Sequence, residues 1–523
     1  MDNKKGSVSH VLHTRYHFKY KLVVEGILCG AFAGMIAIVY RILLSSCEQF
    51  LSFLSIYIKE HVFAFIQWFV VLILLGLLVS WLLKKEPLIG GSGIPQVEGE
   101  MLSFLDQKWY TILLYKIIGG CASAFAGLSL GREGPSIQLG AMAGKGISRI
   151  FHRIRMEEKL LLTCGAAAGL SAAFNAPLAG VMFALEEIHR NFSPSVLICV
   201  MCSSITGDFL SRNVFGLGPV FHFAIEKTLP LHMYGWILIL GILMGILGVV
   251  YNAATLKVQD IYEKFSFVKP CYRILFPFLL SGILLYFVPV VLGGGHFMIE
   301  LLSERTLSLS ILFGLLMIKF IFSLCCFGSG APGGIFFPLL VLGSYAGAIF
   351  ATFFIQYAGM DSTFLSNFII LGMAGFFAAI VRAPITGIIL IAEMSGTLQQ
   401  LLPLVAVSFV SYIVADACRS KPIYESLLER LLIKNGVNLD SFHGEKHLEE
   451  FAIELNSFAC EKKVSEISWP KHCLLVSICR KEKELIPRGD TNLYTGDILV
   501  VLMDDEDTPY IRHQFKKICS NEK

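Results

Sequence analysis

The chain has 523 residues, of which 55% are apolar and 16% charged, with a mean hydropathy of +0.67. A soluble globular chain carries about 25% charged residues, so an ordinary soluble protein is excluded, and a formal net charge of +3 gives no basis for a nucleic-acid partner. The shortage of charge is local. From about Tyr20 to Ala417 one apolar run follows another, several of them near or above the ~20 residues that cross a bilayer. The expectation is a multi-pass protein of the cell membrane, in contact with lipid.

The first run, Leu22–Leu44, follows the basic leader MDNKKGSVSHVLHTRYHFKYK. It is too long for a signal-peptide core and has no small-residue cleavage site behind it, so it reads as a retained first helix. Lys4, Lys5, Arg15, Lys19 and Lys21 favour a cytoplasmic N-terminus. A second span covers Val62–Leu83 and is followed by GGSGIP, Gly90–Pro95. Trp109–Gly127 is again apolar, and GREGP follows at Gly131–Pro135, where charge should be costly. Further runs at Ile237–Tyr251 and Leu307–Phe327 lead to GSGAPGGIFFP, Gly328–Pro338.

The composition changes after about Lys421. KPIYESLLERLLIKNG predicts a short amphipathic helix ending at Gly436, and the rest is polar with short alternating stretches. Phe451, Ile453 and Leu455 alternate in EEFAIELN, while CLLVSICR and DILVVLM are strand-like, with the turn-prone KEKE and RGDTN between them. This predicts a small soluble domain of mixed or mainly β character.

Several motifs are set aside. Many of the 14 cysteines lie in apolar runs, Cys121, Cys164, Cys199, Cys202, Cys325 and Cys326 among them. The C-x-x-C at Cys199 has no second pair or histidine at zinc spacing, so these are read as packing residues and no metal is expected. Gly328–Gly333 satisfies G-x-G-x-x-G but follows a membrane helix instead of a strand, with no acidic residue about twenty positions on. GAMAGKG at Gly140 lacks the P-loop spacing, so transport should run on gradients. No Ser/His/Asp or zinc-protease pattern is present. Neither an enzyme nor a resident cofactor is expected.

The glycine–proline clusters carry the functional signal. Each follows an apolar helix and precedes another helical stretch, and proline in a first turn behind glycines marks a helix start. Helices that begin mid-membrane survive only if buried in protein or lining a cavity. Their N-termini present free N–H groups and the positive end of the dipole. Several meeting there make an anion site without a full positive charge. Glu133, at such a start, can occupy the anion position when ionised and vacate it when protonated. The plainer alternative is a salt bridge with Arg132 that satisfies both.

These clusters resemble, in order and separation, the three selectivity-filter motifs of the CLC family of chloride channels and chloride/proton antiporters. The residues concerned are Gly91, Ser92, Gly93, Ile94 and Pro95; Gly131, Arg132, Glu133, Gly134 and Pro135; and Gly334, Ile335, Phe336, Phe337 and Pro338. The stretch CGAAAGLSAAFNAPLAGVMFALEEIHR, Cys164–Arg190, is similar to the family's segment between the second and third motifs. The resemblance runs from about residue 20 to about 433. It implies an all-α CLC fold of inverted repeats with broken helices, and a homodimer with one pathway per subunit.

It also implies residue roles. Chloride would be bound by the hydroxyls of Ser92 and Tyr424 and by the backbone N–H groups of Ile335 and Phe336. Glu133 would be the gating glutamate and Glu187 the internal proton-transfer glutamate, with Glu186 in support. Taken without the family, Ser92 is an N-cap, Tyr424 an interface aromatic, and Glu186 and Glu187 a helix end in water.

The function expected is chloride/proton antiport, with chloride and protons as substrates. The alternative is a passive voltage- or pH-gated chloride channel of the same fold. Glu187 favours coupling, because channel members lack a glutamate there. The GSGIP serine argues against nitrate, and the intact motif set against fluoride. Regulated cation transport is suggested by Val464–Met503, which resembles the TrkA-C (RCK C-terminal) domain, but no TVGYG-like filter is present. The expected organisation is therefore a transmembrane domain, 1–433, followed by a small α/β cytoplasmic regulatory domain, 434–523. An unidentified small-molecule ligand is one expectation for that domain, and dimer stabilisation the plainer one.

Overall fold

The computed structural model describes residues 3–190, 192–221, 223, 225, 227–264, 270–436, 446–454, 457–470, 473–480, 483–504 and 508–520. The chain divides into two units, Met1–Leu431 and Leu432–Lys523.

The first unit is helical throughout. It runs α1 (Asn3–Glu60), α2 (Val62–Lys85), α3 (Ile94–Met101), α4 (Trp109–Phe125), α5 (Glu133–Ile150), α6 (Arg155–Phe174), α7 (Pro177–Phe183), α8 (Pro194–Phe215) and α9 (Tyr234–Lys264). It continues with α10 (Pro270–Arg273), α11 (Leu275–Phe287), α12 (His296–Glu304), α13 (Leu309–Gly328), α14 (Phe336–Ala358), α15 (Leu365–Val381), α16 (Pro384–Ser395), α17 (Leu401–Ala417) and α18 (Ile423–Lys434). Among the described residues seven helices are long and apolar enough to cross a membrane. The runs at Leu22, Val62 and Ile237 fall within α1, α2 and α9, and the run at Leu307 forms α13 from Leu309 onward. The amphipathic segment forms α18 and ends, as expected, near Gly436, whose φ is +79°.

The helices from α2 to α8 recur, in the same order, from α11 to α17. A short 3₁₀ turn, Pro87–Ile89, precedes α3, and its counterpart Pro289–Val291 precedes α12. Buried Lys116 of α4 donates to the carbonyls of Ile89 and Gly91, at 2.8 Å each. Lys319 of α13 donates likewise to Val291 and Gly293, at 2.9 and 2.8 Å. In both halves the following helix pair touches backbone to backbone. A Cβ on Gly140 of α5 would strike Gly165 of α6, and one on Gly343 of α14 would strike Gly372 of α15. Packing of this kind through small residues is how helices associate where lipid supplies no hydrophobic drive.

The two halves also hold each other reciprocally. Gly131 N–H donates to Gly334 O at 2.6 Å and Gly334 N–H to Gly131 O at 2.8 Å, an antiparallel bridge between equivalent residues. The carboxylate of Glu186, just past α7, accepts from Thr386 N–H at 2.8 Å in the first turn of α16. Glu393 of α16 accepts from Ala179 N–H at 2.8 Å in the first turn of α7. Each half thus supplies an anion to the positive helix end of the other. Exchange of identical contacts in both directions is the signature of a two-fold relation between repeats.

The second unit holds strands β1 (Lys446–Ala452), β2 (Cys473–Arg480), β3 (Lys483–Leu485) and β4 (Ile498–Asp504), then helix α19 (Thr508–Cys519). The sheet is antiparallel with order β1-β4-β2-β3. Leu499, Val501 and Met503 of β4 alternate into a core with Ile511 and Phe515 of α19. Phe451 and Ile453 are buried as their alternation predicts, while Leu455 lies outside the described residues. KEKE is not simply a turn. Lys483–Leu485 pairs with β2 as an edge strand, where charge is tolerated because, among the described residues, one side faces no further strand; Lys481 and Glu482 lie outside the described residues.

Buried Asp497 closes this unit. Arg480 Nε and Nη2 reach its two oxygens at 2.8 Å each, and Tyr494 N–H donates at 2.9 Å. Removing one partner of such a pair leaves a buried charge exposed to a penalty of about 3 kcal/mol. Arg480→Ala should therefore speed proteolytic loss of the C-terminal unit from the full chain. An unchanged digestion rate would show that the pair contributes nothing.

Candidate functional site

Three glycine-rich breaks converge. Gly91 N–H donates to Gly330 O at 3.3 Å and Gly333 N–H to Gly91 O at 3.0 Å, which joins the first break to the third. The Gly131–Gly334 bridge joins the second to the third. Gly134 sits so close to Ser92 that any Cβ would collide with the serine hydroxyl. The N-cap of α3, Gly93, has φ +95°, a conformation that side chains other than hydrogen rarely adopt. Together the breaks place the N-termini of α3, α5 and α14 around one spot, each with first-turn N–H groups that have no intrahelical partner.

Glu133 is the first residue of α5 and is 0% exposed. Its carboxylate faces its own N–H and that of Phe337, in the first turns of α5 and α14, without a well-formed hydrogen bond to either. A side chain on Gly131 would run into it. Arg132 Nε stands 3.9 Å from Glu133 Oε1, too far for a hydrogen bond, so the two do not satisfy each other. The carboxylate therefore sits where two helix dipoles favour an anion.

The hydroxyls of Ser92 and Tyr424 are both buried, and neither has a hydrogen-bond partner among the described residues. Ser92 is not the cap of α3, a position taken by Gly93 without a side-chain bond. Tyr424 is 0% exposed, so it is no interface aromatic. Its ring meets Phe183 edge-on at 6.5 Å, and Phe183 meets Phe336 edge-on at 6.1 Å. Ile335 and Phe336 are equally buried at the start of α14. Tyr424 lies within electrostatic reach of both Glu133 and Glu187. Buried polar atoms left unpaired in a native fold call for an explanation, such as an ion.

Glu187 belongs to a π-helical turn, Ala184–His189, that extends α7. Such turns gather at functional sites. It is 6% exposed, so the reading of a helix end in water fails for it. Its neighbour is Glu98 of α3, also buried, with Arg190 Nη2 at 4.0 Å from Glu98 Oε1. Glu186 points the other way, onto α16, with Thr386 Oγ1 donating at 2.7 Å.

Residues 75–416, well over half of the chain, match the voltage gated chloride channel family. The chain belongs to this family. Among family members, the H(+)/Cl(-) exchange transporter ClcA of Yersinia pestis bv. Antiqua (strain Angola) is 37% identical over 387 residues, 71% of this chain and 80% of the relative. The transporter of the same name from Salmonella paratyphi A is 34% identical over 421 residues, 77% of this chain and 87% of its own length. A solved slow cyanobacterial Cl-/H+ antiporter superposes with a TM-score of 0.74 at 31% identity, covering 79% of this chain and 99% of that one. A CLC-type fluoride/proton antiporter shares the fold, with a TM-score of 0.63 at 22% identity over 77% of this chain and 97% of its own. Residues 448–516 match the TrkA-C domain.

Sequence reasoning missed the residues that build this site from a distance. Lys116, Lys319, Glu98 and Glu393 were unremarked. A signal was present: a lone lysine interrupts the apolar runs before the second and third breaks, and NAPLAG (Asn175–Gly180) returns as RAPITG (Arg382–Gly387). Of the C-x-x-C pattern, Cys199 packs in the helical core, its Sγ 3.4 Å from Cys164 Sγ, while Cys202 is only partly buried.

Proposed function

We propose that the protein is a chloride/proton antiporter in which Glu133 and Glu187 carry protons and Ser92, Tyr424, Ile335 and Phe336 carry chloride. The observation behind this reading is the position of the Glu133 carboxylate at two helix N-termini, with unpaired hydroxyls and a second buried acid nearby. Ionised, Glu133 holds the anion position itself. Protonated, it loses its attraction for the helix ends, and chloride takes its place against partial charges only, which keeps binding weak enough for release. Glu187 and Glu98, side by side away from water, pass a proton inward, since a second negative charge there is costly. Chloride and protons are substrates, with no resident cofactor.

The same reading makes the protein a homodimer with one pathway per subunit. It places the N-terminus and C-terminal domain in the cytoplasm, on the strength of the basic leader and the family resemblance. The TrkA-C domain would regulate transport, through a small-molecule ligand or by stabilising the dimer.

The test is made in proteoliposomes with a chloride gradient, no pH gradient and a pH probe inside. Chloride flow should drive protons uphill in the opposite direction. Chloride movement with a flat pH would mean a passive channel instead.

A further inference from the structure

Glu133 is fully buried, and a proton must still reach it from the side away from Glu187. Two adjoining cavities lie beside it, and Glu187 lines neither. One, of about 20 Å³, enough for a single water, is lined by Glu48, Arg132, Glu133 and His296. The other, of about 180 Å³, is lined by Glu48, Ser52, Ser55 and His296. Apart from Gly293, only Glu48 and His296 line both. Glu48 projects from α1 and is half-buried, with its carboxylate against the Gly293–Gly294 turn.

We propose that Glu48 is a relay acid that exchanges protons between the second cavity and Glu133. This deepens the antiporter reading and rests on Glu133 as the gate. A hydronium ion in the second cavity gives its proton to ionised Glu48 and becomes water. Neutral Glu48 then passes the proton, through the shared cavity, to ionised Glu133 and is left ionised again. The reverse sequence releases a proton.

The surroundings suit a carboxylate better than the alternative carrier. Glu48 faces Arg132 from the break before α5, Lys319 from α13 and Glu300 from α12. His296 has three basic side chains for neighbours, Arg132, Arg41 and Lys319. A carrier that alternates between neutral and negative fits a cationic wall. One that alternates between neutral and positive is opposed by it. His296 is instead packed on Phe337, with ring centroids 4.0 Å apart.

The full chain would be compared with E48Q, E48D and E133Q in proteoliposomes, with chloride flux and chloride-driven proton flux measured together. E48Q should lower proton flux about tenfold at unchanged chloride flux. That is less than the ~10²–10⁴ typical of an essential proton-transfer group, because cavity water still offers a slow route. E48D, which restores a carboxyl, should recover most of the coupling. The relay is overturned if E48Q keeps the parent's proton-to-chloride ratio, if both fluxes fall together, or if E48D is no better than E48Q. Proton pumping that persists in E133Q would sink the gate reading itself, whatever Glu48 does.

Discussion

Glu133→Gln is expected to abolish chloride-driven proton movement, by at least about 10²-fold, while chloride still passes. Glutamine has nearly the shape of the protonated acid but can neither bind nor release a proton. It also lacks the negative charge that draws the side chain to the first turns of α5 and α14, where the native carboxylate faces the N–H of Phe337. The anion position is then open to chloride at every pH, so chloride flux should lose its pH dependence as well as its coupling. Paired measurement of the two fluxes across the acid-to-neutral range checks both points. Uphill proton movement that survives in this variant would remove Glu133 from the gate.

Glu187→Gln should have the second-largest effect, stopping proton coupling without blocking chloride. Glu187 is buried in the π-helical turn after α7 and belongs to none of the three glycine breaks. Glutamine has nearly its shape, so the substitution leaves the Ser92 and Tyr424 hydroxyls and the start of α14 in place. Glu98 remains beside the altered position and still offers a carboxyl. Any residual proton flux in Glu187→Gln should vanish when Glu98→Gln is added. Coupling equal to that of the parent chain in the single variant would take Glu187 out of the path.

Both predictions concern residues that stand out locally. Glu133 comes two residues after Gly131 and directly before Gly134 and Pro135 within apolar surroundings, so its position at a helix start could be read directly. Glu98 could not be read this way. It sits on the short helix α3, five residues past Gly93 of GSGIP, and resembles Glu100 in the same stretch. Only the fold distinguishes them. Glu98 meets Glu187, whereas Glu100 turns to Lys145, at 2.5 Å.

Length and composition alone determined that the chain is a polytopic membrane protein, because crossing a bilayer demands apolar runs of a set length. Local glycine and proline chemistry determined where helices break, and the alternation at Phe451 and Ile453 with the short strand-like runs CLLVSICR and DILVVLM pointed to β1, β2 and β4, since each depends on residues a few positions apart. Tertiary structure decided the rest. Whether an apolar helix faces lipid or protein is invisible in its composition, because lipid is as apolar as a protein core; α15 is almost wholly buried while α2 is largely exposed, yet both read as spans. The pairing of Gly131 with Gly334, the exchange of Glu186 and Glu393 between repeats, and the placing of Glu48 beside Glu133 join residues far apart along the chain. No local pattern encodes such contacts, and only close packing of the two repeats brings them together.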